Sequence, residues 1–387
     1  MFKLKSKNRF FRNVLIISSV LFVLYLLFYF SLTKLQRSTL KTKVIHFLGL
    51  TDNSWEVKVS NSQINLTSPT LVIDGIYKSM EGPHATTIFS INDSLIKLVW
   101  INSFNVTALN TSESEILSND FICHTNIDFY DGSYYGKWNL HHRIGSHYPR
   151  LTTMSNGIES YKFPKGFGFP IFTNEKLFTQ TQVLNHNLKN KIFSVKHKIE
   201  IGFSPNYDKM KPLRSKPIYI MLPYDSNNPY KGSTTEFPNS CIPVTTKNHS
   251  YTDTEGQSYS GHWVIFKGKQ TFKYDVSNQL ELKDSTSLHH IATHLHPFAE
   301  KLSFFDATTN TIVYSSISMN YKDKVGLKNV SYFSDSIGVM LYPNHKYELI
   351  LETNNTSNKN QDMMASMALF LYDKELDEKI KAYISNE

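Results

Sequence analysis

The alternation of apolar and polar positions divides the chain into regions of different character. First comes one uninterrupted apolar run, "VLIISSVLFVLYLLFYFSL", from Val14 to Leu32. It carries no charge, and as a helix it rises roughly 28 Å, enough to cross a hydrocarbon core of about 30 Å. After about residue 65 the apolar runs become short and alternate with turn residues. "TLVIDGIY", "TTIFSIND" and "LIKLVWI" come early; "KPIYIMLPYD", "GHWVIFKG", "TFKYDV", "KLSFFDA", "TIVYSS", "IGVMLY" and "YELILETN" come later. Such runs, punctuated by "FDATTN" or "YPNHK", predict strands. Only the terminal "KELDEKIKAYI" has convincing helical spacing, and no fixed-period repeat is visible. The pattern predicts an all-β protein: two antiparallel β-sandwiches, jelly-roll-like, behind a single N-terminal transmembrane helix. The expected division is a cytosolic tail (1–12), a transmembrane signal anchor (13–33), a stem (34–65), an N-terminal sandwich (66–200) and a C-terminal sandwich (201–378). The boundary falls near the polar, turn-rich "IGFSPNYDKMKP".

Composition supports a folded chain, with 40% hydrophobic, 13% aromatic and 19% charged residues. Lys3, Lys5, Lys7, Arg9 and Arg12 precede the apolar run, which is long for a cleaved signal and has no small-residue cleavage site after it. This predicts a single-pass type II membrane protein with its C-terminal part in the secretory lumen or outside the cell. Lys34, Arg37, Lys41 and Lys43 blunt the charge contrast, and a cleaved signal peptide stays open as the alternative. N-x-[S/T] sequons at Asn65, Asn92, Asn105, Asn110, Asn248, Asn329, Asn354 and Asn355 agree with export and glycosylation, although some are chance in so Asn-rich a chain. Cys123 and Cys241, the two cysteines, could pair in such a compartment. The net charge of +8 is spread thinly, with no basic block interleaved with aromatics, so nucleic acid is not an expected partner.

Candidate chemistry concentrates in "HHIATHLHPF", which holds four of the 15 histidines. On a strand, His294 and His296 share a face, and two imidazoles suit copper or zinc. A half-buried strand face is the competing reading of such a pair. Some seventy residues later, "NKNQDMMASMALFLYD" carries Met363, Met364 and Met367. Methionine there ordinarily fills core, but thioether with imidazole selects copper, above all Cu(I).

An H-x-H strand followed at this distance by Asp-Met resembles the copper type II, ascorbate-dependent monooxygenases, the family of peptidylglycine α-hydroxylating monooxygenase and dopamine β-monooxygenase. The likeness is nearer to bacterial relatives with "GHW", "HLHPFAE" and "QDxMA" segments. It implies that His294, His296 and Met363 hold one copper, with Met364 an adjacent rival. "KFPKGFGFPIFTNEKLFTQTQVLNHN" and "FICHTNIDF" extend the likeness upstream and imply His186 and His124 as ligands of the other copper. Cys123 stands where the family has a histidine. It could be a thiolate ligand, a half-cystine or core, and the other site is in doubt. "LHHRIGSH" (His141, His142, His147) could supply a missing imidazole but reads better as a polar loop. His290 is expected near the metal as a supporting group, His289 to face away, and His262 to be structural. Ala292 and Met367 replace an Arg and a Tyr of the peptide-hydroxylating enzyme, so a glycine-extended peptide is not the expected substrate.

The implied activity is hydroxylation of a C–H bond of a small molecule, using dioxygen and a reductant such as ascorbate. Two alternatives remain: a copper storage or delivery protein without turnover, and a metal-free β-sandwich interaction module. No G-x-S-x-G, P-loop or H-E-x-x-H motif points elsewhere.

Overall fold

The computed structural model describes residues 2–385 apart from 93, 95, 206–208 and 224–249. Strands dominate, behind a helical N-terminus. Helix α1 (Phe2–Ser31) contains a segment, Phe11–Ser31, long and apolar enough to cross a membrane, and its apolar side chains are exposed.

The expected stem begins as helix α2 (Lys34–Phe47) and runs on into the first strands. It begins at a capping box: Gln36 N donates to Thr33 Oγ1 at 3.2 Å, and Thr33 N donates to Gln36 Oε1 at 2.9 Å. The helix lies against the β-body. Ser38 Oγ donates to Glu81 O at 2.9 Å, Lys34 reaches Glu81 Oε2 at 3.1 Å, and Lys41 pairs with Asp74. The segment is therefore packed, not a spacer.

In the first half the strands are β1 (Glu56–Val59), β2 (Gln63–Thr67), β3 (Leu71–Ile73), β4 (His84–Phe89), β5 (Leu98–Leu109), β6 (Ile122–Phe129), β7 (Arg150–Ser155), β8 (Ser160–Lys162), β9 (Phe167–Phe172), β10 (Leu177–Val183) and β11 (Phe193–Pro205). The second half has β12 (Lys211–Tyr219), β13 (Leu222–Pro223), β14 (Ser250–Thr252), β15 (Ser258–Ser260), β16 (Trp263–Ile265), β17 (Gly268–Asp275), β18 (Thr286–Leu295), β19 (Ala299–Asp306), β20 (Thr311–Asn320), β21 (Leu327–Val330), β22 (Phe333–Leu341), β23 (Tyr347–Asn355), β24 (Gln361–Met363) and β25 (Ala365–Tyr372). One long sheet runs β1-β2-β11-β5-β9-β12-β25-β18-β22. Beside it stand β4-β10-β6-β7 in the first half and β17-β23-β19-β20-β21 in the second.

The expected boundary at residue 200 falls inside β11, which pairs with β5 and β2 of the first half. The chain passes to the second half between Pro205 and Lys211. Gly202 and Pro205 made a strand look like a linker. The long sheet itself crosses by a short parallel pairing of β12 with β9, Lys211↔Phe167 and Pro212↔Gly168.

Two further contacts join the halves. Phe163 packs its ring 4.8 Å from that of Phe370. Arg143, 4% exposed, donates to both carboxylate oxygens of Asp373 at 2.6 and 2.9 Å and to Glu375 at 2.7 Å. Asp373 also accepts from Leu376 N at 3.1 Å and so caps the terminal helix α3 (Lys374–Ile384), expected from its helical spacing. Asn355 is fully buried and donates to Lys359 O at 2.8 Å, so its sequon serves a turn.

Candidate metal centre

A cavity of about 440 Å³ has walls from both halves. His84, His124, Asn126, Gln180 and Gln182 line it from the first half, and His262, Ala292, His294, Met364 and Met367 from the second. Leu35 of α2 reaches it as well.

The H-x-H segment is set by a turn. β18 ends at Leu295, and Ala299 N donates to His296 O at 3.3 Å. Pro297 stands second in this turn and Phe298 third, at φ 74. That is the type II pattern, which favours Gly in the third place, so Phe298 is strained. Asn320 Oδ1 holds the Phe298 amide at 2.7 Å.

The acidic residue before the methionines turns toward this segment. Nδ1 of His296 lies 2.9 Å from Oδ2 of Asp362. β24 pairs with β16 as Val264↔Asp362 and Trp263↔Met363. Successive strand residues face opposite ways, so Met363 lies on the Trp263 side, fully buried. Met364, at the step into β25, lines the cavity and Met363 does not. Met364, the adjacent rival of Met363, is the thioether that shares the cavity wall with His294.

His296 is 4% exposed, and neither of its ring nitrogens has a hydrogen-bond partner among the described residues. Its ring centre lies 5.4 Å from that of His294, nearly perpendicular at 89°, and 5.8 Å from that of His262. Two imidazoles held at about 2.0–2.1 Å from one ion keep their ring centres on the order of 5 Å apart. His262, expected to be structural, therefore joins the cluster. His294 and Met364 line the cavity, and His296, which does not, sets its orphaned buried nitrogens beside His294; imidazoles and a thioether so gathered fit a soft metal ion.

The residues expected at the other copper are not brought together in the cavity. Cys123 is the extra residue of a bulge, since Gln182↔His124 is followed by Val183↔Ile122. Its thiol is buried 3.9 Å from Ser79 Oγ, and burial pushes it up to about 11, away from the reactive thiolate. Its suggested partner, Cys241, lies outside the described residues, as does the Asn248 sequon. His124 lines the cavity. His186 is half-buried and does not line it; burial lowers it to about 4, and among side-chain charges Asp362 and His296 act on it most.

On the first-half side of the cavity, Gln182 pairs across β10 with His84 on one side and His124 on the other. His84 and Gln182 carried no sequence signal, because only strand register assembles that row.

His290 is fully buried among aromatic rings, 4.6 Å from Tyr161 and 5.4 Å from Phe163 and Phe370, and does not line the cavity. Neither ring nitrogen has a hydrogen-bond partner among the described residues, so the expected supporting role is not met. Burial lowers it to about 3. His289 faces elsewhere, with Nδ1 3.0 Å from Asp335 O. His141, His142 and His147 also lie off the cavity. Arg150, at the cavity wall, donates to Asp128 at 2.7 and 3.2 Å, so its charge is compensated. Among the described residues no three His, Cys, Asp or Glu side chains converge as a ready-made metal cluster.

No protein-family model matches the chain, and no curated protein matches it. Among solved structures it is similar to the glycosylasparaginase PNGase F from Flavobacterium meningosepticum, with 8% identity over 80% of this chain and 94% of that one and a TM-score of 0.29. The major capsid protein P2 of bacteriophage PM2 shows 8% identity over 84% and 97% at TM-score 0.28. The cowpea mosaic virus top component shows 9% over 78% and 90% at 0.31. Likeness at these scores assigns no activity to this chain.

Proposed function

We propose that this is a membrane-anchored copper protein of two joined β-sandwiches, and that it oxidises a small substrate in the cavity between them in the manner of the copper type II, ascorbate-dependent monooxygenases. The body would sit in the secretory lumen or outside the cell. One observation carries the reading: His296 is buried with neither ring nitrogen hydrogen-bonded among the described residues, its Nδ1 2.9 Å from Oδ2 of Asp362 and its ring next to that of His294. A carboxylate behind a histidine fixes ring and tautomer and raises the basicity of the other nitrogen, the usual support of a metal-bound imidazole.

His294, His296 and the Met364 thioether would hold the ion. Copper bound there supplies one-electron chemistry with dioxygen, with ascorbate or a similar reductant to reload it. The protein's part is to orient the imidazoles and enclose the substrate. Ala292 leaves no cation beside the H-x-H pair, and Arg150 is neutralised by Asp128. The cavity thus favours an uncharged substrate over a carboxylate.

A second reading has its own observation. If His262, its ring 5.8 Å from His296, binds as well, three imidazoles and a thioether close the coordination sphere. Closed sites are structural and catalytic ones keep an open position, so closure favours copper storage or delivery.

The test is copper counting by elemental mass spectrometry on the full chain in detergent, with His294→Ala/His296→Ala and His262→Ala beside it. The oxidase reading expects copper that is lost with the double variant, kept with His262→Ala, and linked to ascorbate-dependent oxygen uptake. Copper lost with His262→Ala, without oxygen uptake in the wild type, favours storage. No copper in the wild type sinks both and leaves an interaction module.

A further inference from the structure

We propose that the opposite wall of the cavity carries a second and separate cation site, in which His84, Gln182 and His124 bind a borderline divalent ion, zinc or copper(II). This rests on the copper reading only in treating the cavity as one that handles metal. It replaces the donor set of Cys123, His124 and His186 that the family likeness implies.

The argument starts from register. β4, β10 and β6 are consecutive strands of one sheet, and Gln182 is directly opposite both His84 and His124. Directly opposite residues share a face, and all three line the cavity. Neighbouring strands lie about 4.8 Å apart, so the two imidazoles flank the amide with backbones on the order of 10 Å apart. Each has to lean about 5 Å toward the middle strand to meet over Gln182.

The middle residue supplies the independent sign. Gln182 is 2% exposed. Its Nε2 donates to Gly82 O at 2.8 Å, which fixes which way the amide points. Its Oε1 has no hydrogen-bond partner among the described residues, and neither has the buried Nδ1 of His84. Leaving a buried polar atom unmet costs about 1–3 kcal/mol, so two of them in one row, facing a cavity, call for an occupant that takes their lone pairs, and the two imidazoles that flank the amide favour a cation over a hydrogen-bond donor. A cation does this. Two imidazole nitrogens and an amide oxygen form a harder set than the thioether-bearing wall across the cavity, and suit zinc or copper(II) rather than copper(I). Cys123 is excluded from the row by the bulge, which removes it from direct pairing with β10.

The experiment takes the full chain carrying His294→Ala/His296→Ala, so that the other wall is silent. Zinc chloride and copper(II) chloride are titrated separately, ion content is counted after desalting, and copper(II) is examined by electron paramagnetic resonance. One ion per chain is expected, with nitrogen couplings to the copper. It should be lost with His84→Ala and with His124→Ala and weakened ten- to hundredfold by Gln182→Leu. Gln182→Glu should tighten it, a gain that a merely structural residue cannot give. Cys123→Ser and His186→Ala should leave it in place. Thermal melts of the metal-free variants establish that they fold; His84 is half-buried on an edge strand, and His84→Gln serves if the alanine does not fold. An ion that survives both His84 variants, or that leaves with Cys123→Ser, overturns the proposal. So does a background chain with no ion at all. Copper on the H-x-H wall is judged in the otherwise wild-type chain, so either assignment can fail while the other stands.

Discussion

The two walls of the cavity use different means to gather donors. The second-half wall draws on neighbours in the chain: His294 and Met364 line it, and His296 and Asp362, each two residues away from one of them, stand behind it. The first-half wall draws on neighbours across a sheet, with His84, Gln182 and His124 on three strands. The first kind of wall is written into short motifs and tolerates drift elsewhere. The second depends on register, and a one-residue slip of β10 would turn Gln182 out of the row. The comparison also separates chemistry, with a soft thioether on one side and an amide oxygen on the other.

The largest effect expected comes from what holds the walls together. Arg143→Ala would leave Asp373 buried at 3% exposure without its cation. Removing one partner of a buried ion pair costs about 3–5 kcal/mol. Urea melts should show that loss, and copper affinity should fall with it because both walls line one cavity. A variant of unchanged stability would mean that the halves do not depend on this clamp.

Next come the adjacent methionines, which sharpen the second-half wall. Met363→Ala opens a fully buried site and should cost about 2–5 kcal/mol, with copper(I) affinity of the folded protein little changed. Met364→Leu keeps apolar volume, should cost under about 1.5 kcal/mol, and should weaken copper(I) while sparing copper(II). The reverse pattern would return the ligand to Met363. Smaller still, Asp362→Asn keeps shape but removes the carboxylate behind His296. Loss of such a partner costs about 10–100-fold in metal affinity, measurable by competition with a copper chelator. An unchanged affinity would mean that Asp362 does not orient His296.

The difference between the walls also explains what the sequence reveals. Strand content, the apolar N-terminal helix and the H-x-H pair follow from periodicity and composition. Strand alternation is itself enough to separate Asp362 from Met363, but the parity that points Met364 inward comes from the pairing with β16, which no local pattern specifies. His84 is an unremarked residue at the start of β4 until β10 brings it level with His124. Helix α2 did carry a signal, the Thr33–Gln36 capping box, but its weak amphipathicity hid it among stem residues. His290 failed as a supporting group because shared strand parity sets a face, not a position along it. Tyr161 and Phe163 from the first half claim that part of the face.

His290 gives the smallest predicted effect and the one with a pH signature. Burial holds it neutral, down to about 3, whereas an unfolded histidine takes up its proton near about 6.5. Above that value neither state is protonated and His290 adds no pH dependence. Below it the unfolded chain binds a proton that the folded chain refuses, so stability falls as pH drops from about 6.5 toward 3. His290→Phe removes the titration and fills the nest of Tyr161, Phe163 and Phe370 with a ring that has no unmet nitrogens. At pH 7 the variant should be more stable by about 1 kcal/mol. At pH 5 the advantage should widen by about 2 kcal/mol, since each unit below the unfolded value is worth about 1.4 kcal/mol. The comparison needs only urea melts of both proteins at the two pH values, because the other buried histidines cancel in the difference. A gap that stays constant would mean that His290 reaches water and titrates in the folded chain, and that the aromatic joint between the two halves opens.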